Sequence, residues 1–269
     1  MIKKATIFLL VMISVSAFAQ DISNEVKFDS IIKEADLLYN YEKVTWNATD
    51  LANDNEKIKE NIGRYIIYHS NDTIFAVFTD KNSENQIAEY SYKQNNLKIP
   101  FNTDFNKKPL AKKVLNLFQI KNKILKELNS NPSEYELNFQ KGFNPNPVLI
   151  SVNNEYRLYI IIGTANKNVI PFGNDYLFNA DKNGQIKDWK RFHKTLIATQ
   201  TKGNNNEVVI SAIHSHLPMT PLITATDICT FRLYGVDLFG MKEFMVSSTA
   251  LNKIFKYNSE DNSITEIEL

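Results

Sequence analysis

Most apolar residues of this chain fall in short runs of strand character separated by Asn-rich turns, and few stretches carry a helical period. Period-two alternation with β-branched and aromatic residues marks strands, whereas recurrence at three and four residues marks helices. "GRYIIYHS", "DTIFAVFTD" and "NQIAEYSYKQ" read as three strands joined by Asn-Asp and Lys-Asn-Ser-Glu-Asn turns, an antiparallel meander. "PVLISV" and "EYRLYIIIGT" follow across an Asn-Asn turn. "DYLFNADKNGQIKDWKRFH" reads as a hairpin turning at Asn183-Gly184, a dipeptide favoured in two-residue turns. "NEVVISAIHSH", "EFMVSS" and "NKIFKYN" supply further strands. The first of these is apolar on both faces and so reads as an inner strand.

Helical spacing runs from Glu25 to Tyr41 through Val26, Phe28, Ile31, Ile32, Ala35, Leu37 and Leu38. "VTWNATDLAND" then reads as a loop or a short helix start. Lys107 to Leu128 is a second helix, with Pro109 in its first turn and "NSNP" at its end. "TATDICTFRLYGVDLF" is a third. The expected class is mixed α/β (α+β): an N-terminal helix and meander, then a central sheet flanked by helices. The loop "KGFNPNP" divides residues 20–146, an N-terminal region of unassigned role, from residues 147–269.

The first residues, "MIKKATIFLLVMISVSAFAQ", combine a basic start, an apolar stretch and Ala17-Phe18-Ala19. This predicts a signal peptide over residues 1–19, cut before Gln20, and a periplasmic or secreted protein. The alternative is a single-span anchor, for which the apolar stretch falls short of the ~20 residues a span needs. Cys229 is the only cysteine, so no internal disulfide forms and stability must come from core packing or a metal. The formal charge is +1, with both signs interspersed, which argues against a nucleic-acid surface or a polybasic membrane patch. No membrane span is expected after signal cleavage.

The chain has four histidines. His214 and His216 stand one residue apart at the end of a strand, so they face the same way, alongside Val208, Ile210 and Ala212. Two imidazoles on one side of a strand end make a natural pair of metal ligands, and Asp227 can supply a third, anionic one. Water at the fourth position would then give an open zinc site. Thr224-x-x-Asp227 also reads as a capping box, which would make Asp227 a helix-start residue.

"HSHLPMTPLITATD" resembles the signature of JAMM (MPN-plus) metallopeptidases: His-x-His, seven residues, Ser, two residues, Asp. It departs at Leu217, where the family has proline, and at Thr224, where the family has serine. The resemblance implies a JAMM-like C-terminal part in which His214, His216 and Asp227 bind Zn2+. Thr224 would steady the oxyanion, and Glu155, ahead of an apolar strand ending at Gly163, would be the general base. The implied activity is hydrolysis of a peptide or isopeptide bond in a protein or cell-wall peptide. The alternative is a non-catalytic binding or scaffold protein with a degenerate or structural metal site.

"DWKRFHK" places Trp189, Arg191 and His193 on one strand face. They could line a substrate groove, or His193 could be a further ligand; the simpler reading is an edge strand with its tryptophan packed and its charges in water. Asp175 and Asp181 could bring carboxylates near the site, although both lie beside turn-forming residues. His69 reads as an ordinary strand-end residue.

Overall fold

A computed structural model of the chain describes the backbone of residues 2–202 and 209–269, and the side chains of residues 26–202 and 209–269. The expected signal peptide, residues 1–19, falls outside the described side chains. α1 (Ile2–Asp54) runs unbroken through "VTWNATDLAND", where a loop was expected. The cause lies in Val44, Ala48 and Ala52, spaced four apart and fully buried, which extend the apolar stripe of Leu38. Thr45 returns its hydroxyl to the Tyr41 carbonyl at 2.8 Å, so it does not compete with the helix. Asn55 then caps the short α2 (Glu56–Lys59).

The meander forms as expected: β1 (Ile62–Ser70), β2 (Thr73–Asp80) and β3 (Asn85–Lys93) pair antiparallel in order. Two short strands, β4 (Asn102–Asp104) and β5 (Lys108–Pro109), add to β3. Pro109 therefore belongs to a strand edge, where its missing N–H costs nothing. The helix expected from Lys107 begins later, as α3 (Lys112–Ser130). It buries Val114, Leu117, Phe118, Ile124 and Leu128 against Leu149, Leu158 and Phe178.

β6 (Phe143–Val152) and β7 (Glu155–Thr164) are joined by Asn153 and Asn154, both left-handed at φ 48 and 66, the requirement of a two-residue hairpin. β8 (Val169–Gly173), β9 (Tyr176–Ala180), β10 (Ile186–Arg191) and β11 (Leu196–Gln200) follow. β10, β9, β7 and β6 make one sheet in that order, and β8 pairs with β11. The β9–β10 turn is wider than expected. Ile186 pairs with Ala180, and the Asp181 carboxylate accepts from the backbone N–H of Asn183 at 2.9 Å and Gln185 at 2.8 Å. A five-residue loop organised by Asp181 thus replaces the tight Asn-Gly turn.

The last sheet has the order β12 (Ser211–His216), β13 (Glu243–Ser248), β14 (Lys253–Asn258), β15 (Ser263–Glu268). β12 runs parallel to β13 and connects to it through α4 (Ala225–Thr230), a π-helical turn (Phe231–Val236) and α5 (Asp237–Phe239). β12 is an edge strand, which corrects the inner-strand expectation. Ile213 and Ile210 are 54% and 79% exposed, while Ala212, His214 and His216 are buried. Val208 lies outside the described residues. The architecture is mixed α+β, mostly strand. One apolar cluster joins Leu38, Ala76, Val148, Ile170, Phe231 and Phe244, so packing continues across the expected boundary at Lys141 to Pro147. Among the described residues no helix is long and apolar enough to cross a membrane.

Candidate metal centre

β12 turns His214 and His216 inward together, 7% and 2% exposed, because alternate residues of a strand share a face. Thr224 starts α4 with a complete capping box: its hydroxyl accepts from the Asp227 N–H at 3.1 Å, and Asp227 Oδ2 accepts from the Thr224 N–H at 2.9 Å. That reciprocal pair fixes the Asp227 carboxylate and leaves Oδ1 facing the imidazoles, buried and without a well-directed hydrogen bond. The cap and the ligand are two oxygens of one side chain.

The fourth member is His193, from the β10–β11 loop. The backbone there is tied to the β8–β9 turn, with Phe192 N–H donating to the Asp175 carbonyl at 3.0 Å and Asn174 N–H to Thr195 at 3.1 Å. Gly173 permits this approach. It sits at φ +79, and a Cβ on it would lie 2.5 Å from the Thr195 carbonyl oxygen and 3.2 Å from the His193 Cβ. His193, His214, His216 and Asp227 bring one ligand atom each within 4.8 Å of one another, and this buried group could hold a metal ion.

Several separations in the group are close to those around a tetrahedral ion. With bonds of about 2.0–2.1 Å to N and O, tetrahedral ligands stand roughly 3.3 Å apart. Here Nε2 of His193 and His214 lie 3.4 and 3.3 Å from Asp227 Oδ1, and His216 Nε2 lies 3.3 Å from Oδ2. The imidazoles are closer, with Nε2 to Nε2 distances of 2.7 Å for His193 to His216 and 3.0 Å for His214 to His216. An ion would spread them slightly.

The outer contacts set the tautomers. His216 Nδ1 meets the Leu222 carbonyl at 2.8 Å, which can only accept, so the proton sits on Nδ1. His193 Nδ1 likewise donates to Asp175 Oδ1 at 2.7 Å. Both Nε2 atoms therefore turn lone pairs inward, the arrangement metal-ligating histidines adopt when a carbonyl or carboxylate holds the other nitrogen. Two facing lone pairs need a positive charge between them. In the metal-free protein a proton on His193 supplies it. Burial alone would lower the pKa of His193, but the Asp175 and Asp227 carboxylates outweigh it and push the value up to about 9. Burial would raise Asp227, yet the His193, His216 and His214 imidazoles hold it well below the usual carboxylate range.

Thr224 is present, but its hydroxyl is engaged with Asp227 Oδ2 at 2.6 Å and with Thr226 at 2.9 Å. Glu155 is not brought to the cluster. It begins β7 and pairs with Lys187 at 2.7 Å on the surface. β7 meets the start of β9, and hence Asp175, at Ile160, which puts Glu155 five residues of strand away, roughly 15 Å. The carboxylate that does reach the site is Asp175, which also accepts from the Thr226 hydroxyl. His193, which the sequence offers as a candidate further ligand, does join the cluster, but from the loop after β10 and not from a strand face. Asp181 organises its turn, and His69 pairs with Gln94 at the meander. Cys229 is buried on α4, and burial pushes its thiol well above the usual range, as an inert core residue requires.

The fold and this centre define an α+β protein with a buried three-histidine, one-aspartate cluster. Compared with known protein families, curated proteins and solved structures, the chain matches none significantly.

Proposed function

We propose that this chain is an exported zinc-binding protein whose centre is closed on all four sides by His193, His214, His216 and Asp227. The observation that carries this reading is His193, which takes the position a catalytic water would need. Zinc sites with four protein ligands serve structure, and those with three keep a position for chemistry. Three imidazole nitrogens and one carboxylate oxygen suit zinc better than calcium or magnesium, which prefer oxygen alone. The ion would join β12, the α4 start and the β10–β11 loop, a role disulfides cannot fill in a chain with one cysteine.

A second reading rests on a different observation. A cleft of about 920 Å³ opens onto His193 and His216, walled by Trp189, Phe192, Leu217 and Met219. In that reading the site is a JAMM-like peptidase or isopeptidase centre acting on a protein or cell-wall peptide. His214, His216 and Asp227 hold zinc, and His193, oriented by Asp175, serves as general base in place of Glu155.

His193→Ala separates the two. Metal content and zinc affinity are measured on purified wild type and variant, with peptide hydrolysis assayed alongside. A closed site loses affinity by about a hundredfold or more when a ligand is removed, since an outer-contact change alone costs 10–100-fold. A catalytic site keeps its zinc and loses turnover. A wild type that takes up no zinc would overturn both.

A further inference from the structure

A second cavity, of about 540 Å³, lies between α1, the β6–β7 sheet and the π-helical turn, and shares no lining residue with the metal centre. At its base Glu42 is 4% exposed, and around it stand Trp46, Tyr65 and Tyr234, with Asn146 beside the carboxylate and Asp50 exposed at the mouth. The lining holds these two carboxylates and no lysine, arginine or histidine. The neighbouring cation, Lys121, lies on the other side of Glu42, where it shares a small cavity with Glu42 and Tyr65 and has its Nζ 5.3 Å from the Tyr65 ring centre. A buried carboxylate attracts a cation through its charge, and Trp46 and Tyr234, packed edge to face at 5.2 Å, wall the space beside it.

Asn146 narrows the choice of cation. Its Nδ2 donates to Glu42 Oε1 at 2.8 Å and to Oε2 at 2.6 Å, while its Oδ1 accepts from the Tyr65 hydroxyl at 3.3 Å. A donor shared between both oxygens occupies the position that a guanidinium fork would need. With Asn146 already shared between the oxygens, the compact, rotatable donors of an ammonium suit the carboxylate better than a fork does. Glu42 and Asp50 lie eight residues apart on one helix, about 12 Å along its axis.

We propose that this cavity binds an aliphatic amine, its ammonium on Glu42 beside Trp46 and Tyr234. In a diamine the second ammonium reaches toward Asp50. A cavity of this volume is of the size that encloses small organic ligands.

Trp46 is its own reporter, because the chain has two tryptophans and Trp189→Phe leaves it alone. In that background the emission of Trp46 is titrated with butylamine, cadaverine and the neutral isostere 1,5-pentanediol. The expected result is saturation by both amines with half-effect near or below about 1 mM and none with the diol. Cadaverine should bind at least roughly threefold tighter, and Glu42→Gln should weaken both amines by about tenfold or more. Asp50→Asn, an exposed change that leaves the fold alone, should remove only the advantage of cadaverine. An equal response to the diol, no saturation by either amine in the Glu42-containing protein, or unchanged affinity in Glu42→Gln would each overturn the proposal. Equal affinity for the two amines would overturn the role of Asp50.

Discussion

Asp175→Asn tests whether the outer contact of His193 belongs to a metal centre. The carboxylate accepts the His193 Nδ1 proton through Oδ1 and the Thr226 hydroxyl through Oδ2. Asparagine keeps the shape and one acceptor. With its carbonyl toward His193 the imidazole tautomer survives, and its NH2 faces Thr226, whose oxygen can accept while its hydrogen turns to Thr224. The fold therefore persists, and what is lost is the charge. A charge-assisted hydrogen bond is worth about 1.5–3 kcal/mol and a neutral one about 0.5–1.5, a difference near 1–1.5 kcal/mol or roughly tenfold in affinity. Substitutions at such outer partners span 10–100-fold, so tenfold is the floor. The assay is zinc competition against a chromophoric chelator, with circular dichroism on the same samples. A folded Asp175→Asn protein that binds zinc within twofold of wild type would refute the reasoning, because the His193 ring would then owe neither orientation nor basicity to Asp175.

Three further outcomes are expected. Gly173→Ala places a methyl group 2.5 Å from the Thr195 carbonyl oxygen at φ +79, so it should cost about 2–3 kcal/mol in denaturant unfolding and weaken zinc binding by displacing His193. Thr224→Ala removes the hydroxyl that accepts from the Asp227 N–H and donates to Asp227 Oδ2, leaving only the backbone bond of the box, and should cost about 1–2 kcal/mol with or without zinc, while Thr224→Ser recovers most of it. Glu42, raised to about 7 by burial against the help of Asn146 and Lys121, keeps in the folded state a proton that the unfolded chain releases near 4.5. Its contribution is therefore complete below pH 4.5 and is lost as pH rises through 7. Glu42→Gln should match wild type in acid and exceed its stability at pH 8 by up to about 3 kcal/mol, read from urea midpoints across that range.

What was legible was what local pattern encodes. Ile66, Ile74 and Tyr90 lie in strands whose composition and turn residues suffice to place them, and Asn153-Asn154 supplies the left-handed pair its hairpin needs. β8 carries no strand signal, because "VIPFG" contains Pro171 and Gly173, which ordinarily argue against a strand. It survives as one of a two-stranded pair that needs few ladder bonds. β12 was placed at the centre of a sheet because Ile213 is apolar, yet apolarity does not say which neighbours exist; with only β13 beside it, Ile213 faces outward. His193 reads from the sequence as a candidate further ligand beside a simpler edge-strand reading, and no period along the chain decides between them, because the meeting of the β10–β11 loop with the inward face of β12 is a tertiary contact.

Asp227 shows why local rules and site chemistry need not compete. Read alone, a carboxylate three residues after a threonine at a helix start is a cap, and that reading competes with its use as a ligand. The cap and a ligand role are compatible: Oδ2 closes the box with the Thr224 N–H at 2.9 Å and also meets His216 at 3.3 Å, while Oδ1 stands 3.3 Å from His214 and 3.4 Å from His193. The cap is what makes the ligand effective. A free aspartate would have to give up rotamer freedom as an ion arrived, whereas the box has already fixed this one while the helix forms. The same logic covers His216, held by the Leu222 carbonyl, and His193, held by Asp175. His214 alone is held by packing, its ring 5.1 Å from that of Phe172 and 5.8 Å from that of Phe244, with no polar partner at Nδ1. Three of the side chains are fixed by hydrogen bonds and one by aromatic walls, so an ion entering the proposed centre would need only to spread the imidazoles, with the outer contacts already made.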